Sequence, residues 1–163
     1  MAERLAFIDF EASGLGARSW PIEVGWAFED GAGESFLVSP APEWSLDDWD
    51  PRAEKLHGVS LKMLSDLGVS AETACDRVSA ALAGCAVYSD APDWDSFWMM
   101  RLFDAAARKS AIRIRDFSTL MAPLAPEKKA QLLSQADRQA PRRHRAGEDA
   151  LHLVAVFRLS KDL

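Results

Sequence analysis

Leu5-Ala6-Phe7-Ile8-Asp9-Phe10 is the stretch that decides the fold, because its side chains up to Asp9 are apolar at both odd and even positions. A strand with this pattern is covered on both faces, as the central strands of α/β sheets are. Asp9 and Glu11 are two residues apart, so they lie on one face at the carboxyl end of the predicted strand. Open α/β sheets bind ligands at that end, so we expect a functional site there.

The segments that follow predict two further strands and then alternating helices and strands. Residues 22–28 and 35–38 read as strands and flank the turn at Gly31–Gly33, which indicates a hairpin. This order predicts an α/β three-layer fold, formed as a single domain over residues 1–163. The expected helices are 51–56, 61–67, 71–83, 93–107, 119–121, 127–136 and 147–159, and the expected later strands are 85–87 and 112–114.

The composition is typical of one globular domain. A chain of 163 residues with 48% hydrophobic residues buries one core rather than two. Cys75 and Cys85 are too few for a disulfide framework and lack metal-site spacing, so we expect both to be reduced thiols. The chain opens without a secretion signal, and no apolar run has membrane-spanning length. We therefore expect a cytoplasmic protein with no membrane partner.

The net charge of -6 conceals an uneven distribution along the chain. Residues 1–100 carry six Lys and Arg against 18 Asp and Glu, whereas residues 101–163 carry 13 against seven. Solvated helix faces account for such a division as well as a function does. A functional interpretation is that the acidic half supplies metal ligands while the basic half, which includes Arg142-Arg143-His144-Arg145, contacts phosphate.

The negative charges of Asp9 and Glu11 need a counter-charge if the two carboxylates are buried in an apolar strand. Burying one unpaired carboxylate costs free energy, and two adjacent carboxylates repel each other. A hard divalent cation satisfies both at once. The following turn, Ala12-Ser13-Gly14-Leu15-Gly16, has backbone amides that could face a ligand. Because the chain has 25 acidic residues, the pair alone is more typical of a polar strand end than of a site.

Asp95 is the second candidate ligand. It shares the helical face of Trp98, Met99 and Leu102, so its carboxylate should point toward the core at the start of a helix. Asp93 lies about 200° away around the helix, which places it on the solvent side. Capping is the better interpretation of Asp90 and Asp93, with Asp93 pointing to water and Asp90 capping the helix or lining the entry turn. The alternative is Asp90 as the metal ligand, if the helix starts later than expected.

His144 and Asp149 form the third signal. Five residues of helix would direct them about 140° apart, so they cannot share one helical face. Both can face one cleft if His144 lies in the loop after Pro141 and Asp149 in the first turn of the terminal helix. Taken singly, a surface histidine among arginines and a first-turn acid that complements the helix dipole are the simpler interpretations.

Taken together, three segments resemble the motifs of the DEDD exonucleases, and in particular their histidine-bearing DEDDh branch. Residues 7–15 (FIDFEASGL) resemble the first motif, and residues 89–98 (SDAPDWDSFW) resemble the second. Residues 144–150 (HRAGEDA) resemble the third, in which His precedes Asp by five residues. PIEVG at 21–25 and HGVS at 57–60 also fall where that family has similar segments. Ser89-Asp90 and Gly147-Glu148 depart from the family pattern.

The resemblance implies a ribonuclease H-like fold with a central mixed five-stranded sheet, and a two-metal 3′-5′ exonuclease acting on single-stranded DNA or RNA. Two Mg²⁺ or Mn²⁺ ions would be held by four carboxylates, those of Asp9, Glu11, Asp95 and Asp149. His144 would be the general base. The expected contacts to single-stranded 3′ ends are Ala12, Ser13, Leu15, His57 and Arg145.

Other classes of function stay open at the level of sequence. A binding domain without turnover, or a proofreading module associated with a polymerase, would carry the same motifs. A zinc site formed by His57, His144 or His152 is less consistent with so many hard carboxylates. The patterns do not decide between DNA and RNA, or between a monomer and a homodimer.

Overall fold

The sheet is built around the predicted central strand. In the computed structural model, which describes residues 2–163, β1 (Arg4–Ala12) lies between β2 (Pro21–Phe28) and β4 (Cys85–Ser89). β2 pairs antiparallel with β1 and with β3 (Gly33–Leu37), whereas β4 pairs parallel with β1. β5 (Ile114–Asp116) pairs parallel with β4. The order β3-β2-β1-β4-β5 confirms the mixed five-stranded sheet.

Glycines close the hairpin between β2 and β3. Gly31 has a φ of +88°, a left-handed conformation that glycine adopts without steric cost. The turn is held by hydrogen bonds that Phe28 N–H donates to the Ala32 oxygen and Gly31 N–H donates to the Phe28 oxygen. A side chain at Gly33 would come within 2.2 Å of the Trp26 carbonyl oxygen, so this strand pair needs glycine there.

Helices cover both faces of the sheet. One apolar core contains Ile8 and Phe10 together with residues of the middle helices, and the other contains Phe7 together with residues of the two last helices. This division gives the α/β three-layer architecture that the sequence predicts. The helices are α1 (Pro51–His57), α2 (Leu61–Leu67), α3 (Ala71–Leu82), α4 (Pro92–Ala105), α5 (Pro126–Gln139) and α6 (Ala146–Lys161).

The alternation of β1 decides where its acids point. Asp9 and Glu11 share the face of Phe7, and the Phe7 ring packs at 5.4 Å from the ring of Phe157 in α6. The two carboxylates therefore lie on the α6 side of the sheet, at the carboxyl ends of the parallel strands β1 and β4.

Two predicted elements differ from the observed ones. The strand expected at 112–114 begins only at Ile114, because Ile112 N–H is bonded to the Ser110 hydroxyl and lies outside the ladder. The helix expected at 119–121 is a 3₁₀-helix, Phe117–Leu120, whose start is capped by the Asp116 carboxylate. Within residues 2–163, no helix has the length and apolar character needed to cross a bilayer.

Candidate functional site

Three carboxylates meet at the carboxyl end of β1. Asp9 and Glu11 come from β1, and Asp149 comes from the first turn of α6. One oxygen of each lies within 4.8 Å of the others, which is the spacing of a group able to hold a metal ion. The Arg143 N–H donates to Asp149 Oδ1 at 2.8 Å, so the loop before α6 fixes this carboxylate. These are three of the four predicted metal ligands.

The cluster carries more negative charge than its surroundings can balance. Burial raises the pKa of Asp9 well above its ordinary value, and the neighbouring carboxylates of Asp95 and Glu11 raise it further. Burial and the charge of Asp149 raise the pKa of Glu11 to about 8. Asp9 Oδ2 is buried and has no hydrogen-bond partner within the described part of the chain. An unpartnered oxygen among repelling carboxylates fits a divalent cation, which supplies the missing charge and the missing contact.

Asp95 lies beside the cluster and is held by the protein. Its side chain is 1% exposed, and its Oδ1 accepts a hydrogen bond from Phe10 N–H at 3.2 Å. Its other oxygen accepts from the Ser89 hydroxyl. Burial raises the pKa of Asp95 to about 7. Asp95 therefore points inward as the helical phase predicts, but both of its oxygens are already hydrogen-bonded.

The other two acids of this segment are exposed and neither caps α4, so the capping interpretation is wrong, whereas Asp90 does lie in the turn that leads into the helix. The N-cap residue is Ala91, and no side chain among residues 2–163 caps this helix. Asp93 projects into solvent, as its phase predicts. Asp90 forms an ion pair with Arg142 instead, because the β4–α4 loop approaches the loop before α6.

His144 lies where the sequence places it, in the loop between α5 and α6. The side chain is exposed, and the residue has a φ of +53°. This left-handed conformation is strained for a residue with a side chain, and such strain is frequent at functional sites. His144 thus directly follows Arg143, whose N–H holds the Asp149 carboxylate.

His57 contributes a buried imidazole at the end of α1. Its Nδ1 accepts a hydrogen bond from Val59 N–H at 3.0 Å, so the neutral ring carries its proton on Nε2. Nε2 is buried and finds no partner in residues 2–163. Burial lowers the pKa of His57, while the charge of Glu54 and a backbone contact with Ala12 oppose this shift and the charges of Arg145 and His144 add to it. These effects place His57 in one region with Arg145 and His144.

The three predicted substrate contacts in the turn after β1 differ in how far their side chains are exposed to solvent. Leu15 is 70% exposed, whereas Ala12 is buried. Ser13 is fully buried, and its hydroxyl accepts a hydrogen bond from Trp20 N–H at 3.0 Å. The Ser13 backbone also bonds to Trp20 and Asp50, so this residue closes the turn internally. Leu15 alone of the three presents its side chain to solvent.

Arg145 is paired with an acid that the sequence reasoning missed. Glu23 of β2 is 1% exposed and accepts hydrogen bonds from Arg145 Nε at 2.7 Å and from Ala146 N–H at 2.5 Å. Glu23 also lies opposite Glu11 in the β1–β2 register. The pair anchors the start of α6 on the sheet. The signal for it was a single charged residue in the otherwise uncharged strand PIEVGWAF.

Close backbone contact completes this anchor. A side-chain carbon at Gly25 of β2 would meet the Ala146 carbonyl carbon and the Gly147 nitrogen at 2.6 Å each. The glycine lets α6 lie directly against β2, and this contact brings Asp149 to the end of β1. Neither Glu23 nor Gly25 belongs to the three motifs that contain the candidate ligands. Both nevertheless hold α6 against β2, and so they determine where the Asp149 carboxylate lies.

The sheet order, the two helical layers and the acidic cluster at adjacent parallel strand ends define a ribonuclease H-like α/β fold. Solved structures of exonuclease I share it over nearly the whole chain. The E. coli enzyme in complex with a dA16 oligonucleotide matches with a TM-score of 0.77 and 14% identity over 99% of this chain. Exonuclease I from Methylocaldum szegediense matches with a TM-score of 0.69 and 18% identity, again over 99%.

The chain spans about two fifths of the length of these structures, because 41% of each is covered. At such identities the likeness establishes the fold and no more. No protein-family model matches the chain, and no curated protein matches it.

Proposed function

We propose that the chain is a metal-dependent 3′-5′ exonuclease that hydrolyses single-stranded nucleic acid to nucleoside monophosphates. The observation that carries the proposal is the convergence of Asp9, Glu11 and Asp149, with ligand oxygens within 4.8 Å of one another. The E. coli exonuclease I structures that share the fold were solved with dA16 and dT13 oligonucleotides. Together, the cluster and the fold favour a phosphodiester substrate over other anions.

Asp9, Glu11 and Asp149 would hold the metal ions, Mg²⁺ or Mn²⁺, because hard oxygen ligands suit these cations. Two such ions supply an activated nucleophile and stabilise the charge on the leaving oxygen. Asp95 completes the proposed set of four carboxylates. Its bonds to Phe10 N–H and the Ser89 hydroxyl hold it against β1, where its negative charge adds to that of Asp9 and strengthens the need for a cation.

His144 would accept a proton from the attacking water. Imidazole is the side chain that most often serves as a general base near neutral pH. His57 would serve differently, since its lowered pKa keeps it neutral and its Nε2–H remains a donor. That donor suits an oxygen of the terminal nucleotide.

Basic groups would contact the phosphates upstream of the scissile bond. Arg145 and Arg142 are engaged with Glu23 and Asp90. Arg143 is exposed and makes no ion pair with any residue that the structure describes. Of the arginines in this loop, Arg143 is therefore the one most available to phosphate. The proposed substrate contacts are Arg143, Leu15 and His57, with Ala12, Ser13 and Arg145 shaping the surface around them.

The test is a polarity assay on the full chain. Single-stranded DNA and RNA of one sequence, labelled at the 5′ end, are incubated with Mg²⁺ or Mn²⁺ and with EDTA. We expect a ladder shortened from the 3′ end, release of nucleoside monophosphates, and no reaction in EDTA. Products shortened from the 5′ end, or full activity after metal removal, would contradict the proposal. The ratio of the DNA and RNA rates decides the preferred sugar.

A further inference from the structure

A cavity of about 890 Å³ opens next to the acidic cluster, between α5, α6 and the 3₁₀-helix at Phe117–Leu120. Asp90 and Arg142, which form an ion pair, lie on its wall. Arg142 directly precedes Arg143, whose N–H holds Asp149. The cavity therefore shares a wall with the loop that fixes this carboxylate, and its volume falls in the range that holds small organic ligands.

The walls favour an uncharged planar ring. Most of the lining is apolar, from side chains such as Met121, Leu124, Leu132 and Leu133. The charged residues in the lining are two bases and two acids, so their formal charges cancel. A polyanion would gain little inside, whereas the faces of a heterocycle would bury apolar area against leucine and methionine.

One buried polar group points to the kind of ring. His152 is 4% exposed and lines the cavity. Its Nδ1 lies 2.8 Å from the Ala140 carbonyl oxygen, which can only accept, so Nδ1 carries the proton. Nε2 of the neutral ring is then an acceptor, and it has no hydrogen-bond partner in the part of the chain that is described. An acceptor on a mostly apolar wall favours a ligand that offers an N–H donor.

We propose that this cavity binds one unstacked base of the substrate strand. Every nucleobase offers an N–H donor for His152 Nε2 and two faces for the apolar walls. Lys129, which makes no ion pair with the residues described and also lines the cavity, would contact the adjoining phosphate. The proposal rests on the proposed function, because the strand must enter the acidic cluster for a neighbouring base to reach the cavity.

The test is an abasic scan of a 12-residue single-stranded DNA. Each oligonucleotide lacks the base at one position near the 3′ end, and affinity for the full chain is measured by fluorescence anisotropy in EDTA, which prevents hydrolysis. We expect one position at which removing the base weakens binding about tenfold, the scale of a single base contact. Leu133→Trp should fill the mouth of the cavity. In this variant, removing the base at the sensitive position should no longer weaken binding.

Leu151→Trp is the matched control, because Leu151 is also 40% exposed but lies outside this cavity. It should retain the positional effect. His152→Asn keeps a donor for the Ala140 oxygen and removes the Nε2 acceptor, so it should reduce the effect without filling the cavity. Circular dichroism and thermal melts verify that each variant is folded.

Several outcomes would overturn the inference. They are a scan without any sensitive position, a sensitive position unchanged in Leu133→Trp, or an absence of binding in EDTA. Free AMP that competes with the oligonucleotide while no position is sensitive would show that the cavity takes a free nucleotide instead. Hydrolysis with Mn²⁺ is measured separately, so a failed scan beside normal hydrolysis rejects only the base site. A positive scan without hydrolysis rejects only the nuclease.

Discussion

At the scale of single residues, Asp149 and Asp95 differ in how many of their carboxylate oxygens are hydrogen-bonded within the protein. Asp149 has one oxygen bonded to Arg143 N–H and another able to meet Asp9 and Glu11. Asp95 has both oxygens bonded within the protein. The first side chain is available as a ligand, and the second is fixed as a support. Substitutions at the two positions should therefore differ in what they change.

Asp149→Asn should remove metal-supported turnover while preserving the fold. The Asn oxygen can still accept from Arg143 N–H, whereas the charge that attracts the cation is lost. We expect weaker Mn²⁺ binding by isothermal titration and little or no nucleotide release, with an unchanged circular dichroism spectrum. Wild-type turnover by this variant would exclude Asp149 from the site.

Asn substitutions at Asp95, Asp93 and Asp90 test the helical phase of α4. Asp95→Asn should lower activity by about 10- to 100-fold or more, the scale of groups that support metal ligands. Asp93→Asn is the matched control and should be nearly silent, because its side chain is in solvent. Asp90→Asn should have an intermediate effect at most through its pair with Arg142. An active Asp95 variant beside an inactive Asp93 or Asp90 variant would show that this assignment is wrong.

His144→Ala should lower turnover by about 10²- to 10⁴-fold, the usual contribution of a general base, while Mn²⁺ binding persists. Loss of the proton acceptor should also flatten the acidic limb of the rate profile in the variant. The measurement is a pH profile of nucleotide release at saturating metal. An unchanged rate and profile would identify His144 as a surface residue only.

At the scale of elements, periodicity predicted most of what positions the site. The run at 5–10 predicted β1, and the apolar spacing from Asp95 onward predicted which acid of α4 is buried. What periodicity cannot show is pairing between distant segments. Arg145 was expected at phosphate, but Glu23, 122 residues away, holds it. Ser13 was expected at substrate, but its hydroxyl serves Trp20. Such contacts depend on which strands, turns and helices pack against one another, and local sequence does not encode that packing.

The contact between β2 and α6 supplies an element-scale prediction. Gly25→Ala places a carbon 2.6 Å from the backbone of Ala146 and Gly147, so α6 must move away from β2. We expect a loss of about 1–3 kcal/mol in the free energy of unfolding, the usual cost of overpacking, and weaker Mn²⁺ binding through displacement of Asp149. Gly16→Ala is the stability control, since nothing lies within 4 Å of the added carbon. Equal urea midpoints for the two variants would contradict this account.

At the scale of the whole molecule, the cluster makes stability depend on pH and metal together. Glu11 has a pKa of about 8 in the folded chain against an ordinary value of 4.5, and that of Asp9 is also raised. Between these pH values the folded chain holds protons that the unfolded chain has lost. The free energy of unfolding should therefore fall as pH rises from about 4.5 to about 8.

We expect the metal-free chain to melt at a higher temperature at pH 6 than at pH 8, and excess Mg²⁺ to raise the melting temperature more at pH 8. A cation that binds only the folded chain stabilises it, and at high pH it no longer competes with protons. Glu11→Gln should flatten the pH dependence in EDTA. Melting temperatures that rise from pH 6 to pH 8 without metal would contradict the assignment.

The placement of the three carboxylates also has a consequence for synthesis. Asp9 and Glu11 leave the ribosome early, but Asp149 follows Asp9 by 140 residues, and β4 must emerge before β1 has its parallel neighbour. At about 5 to 20 residues per second, roughly 7 to 28 s separate the synthesis of Asp9 from that of Asp149. Throughout that interval the nascent chain lacks the third carboxylate. The proposed metal site therefore cannot be complete before the first turn of α6 has been translated.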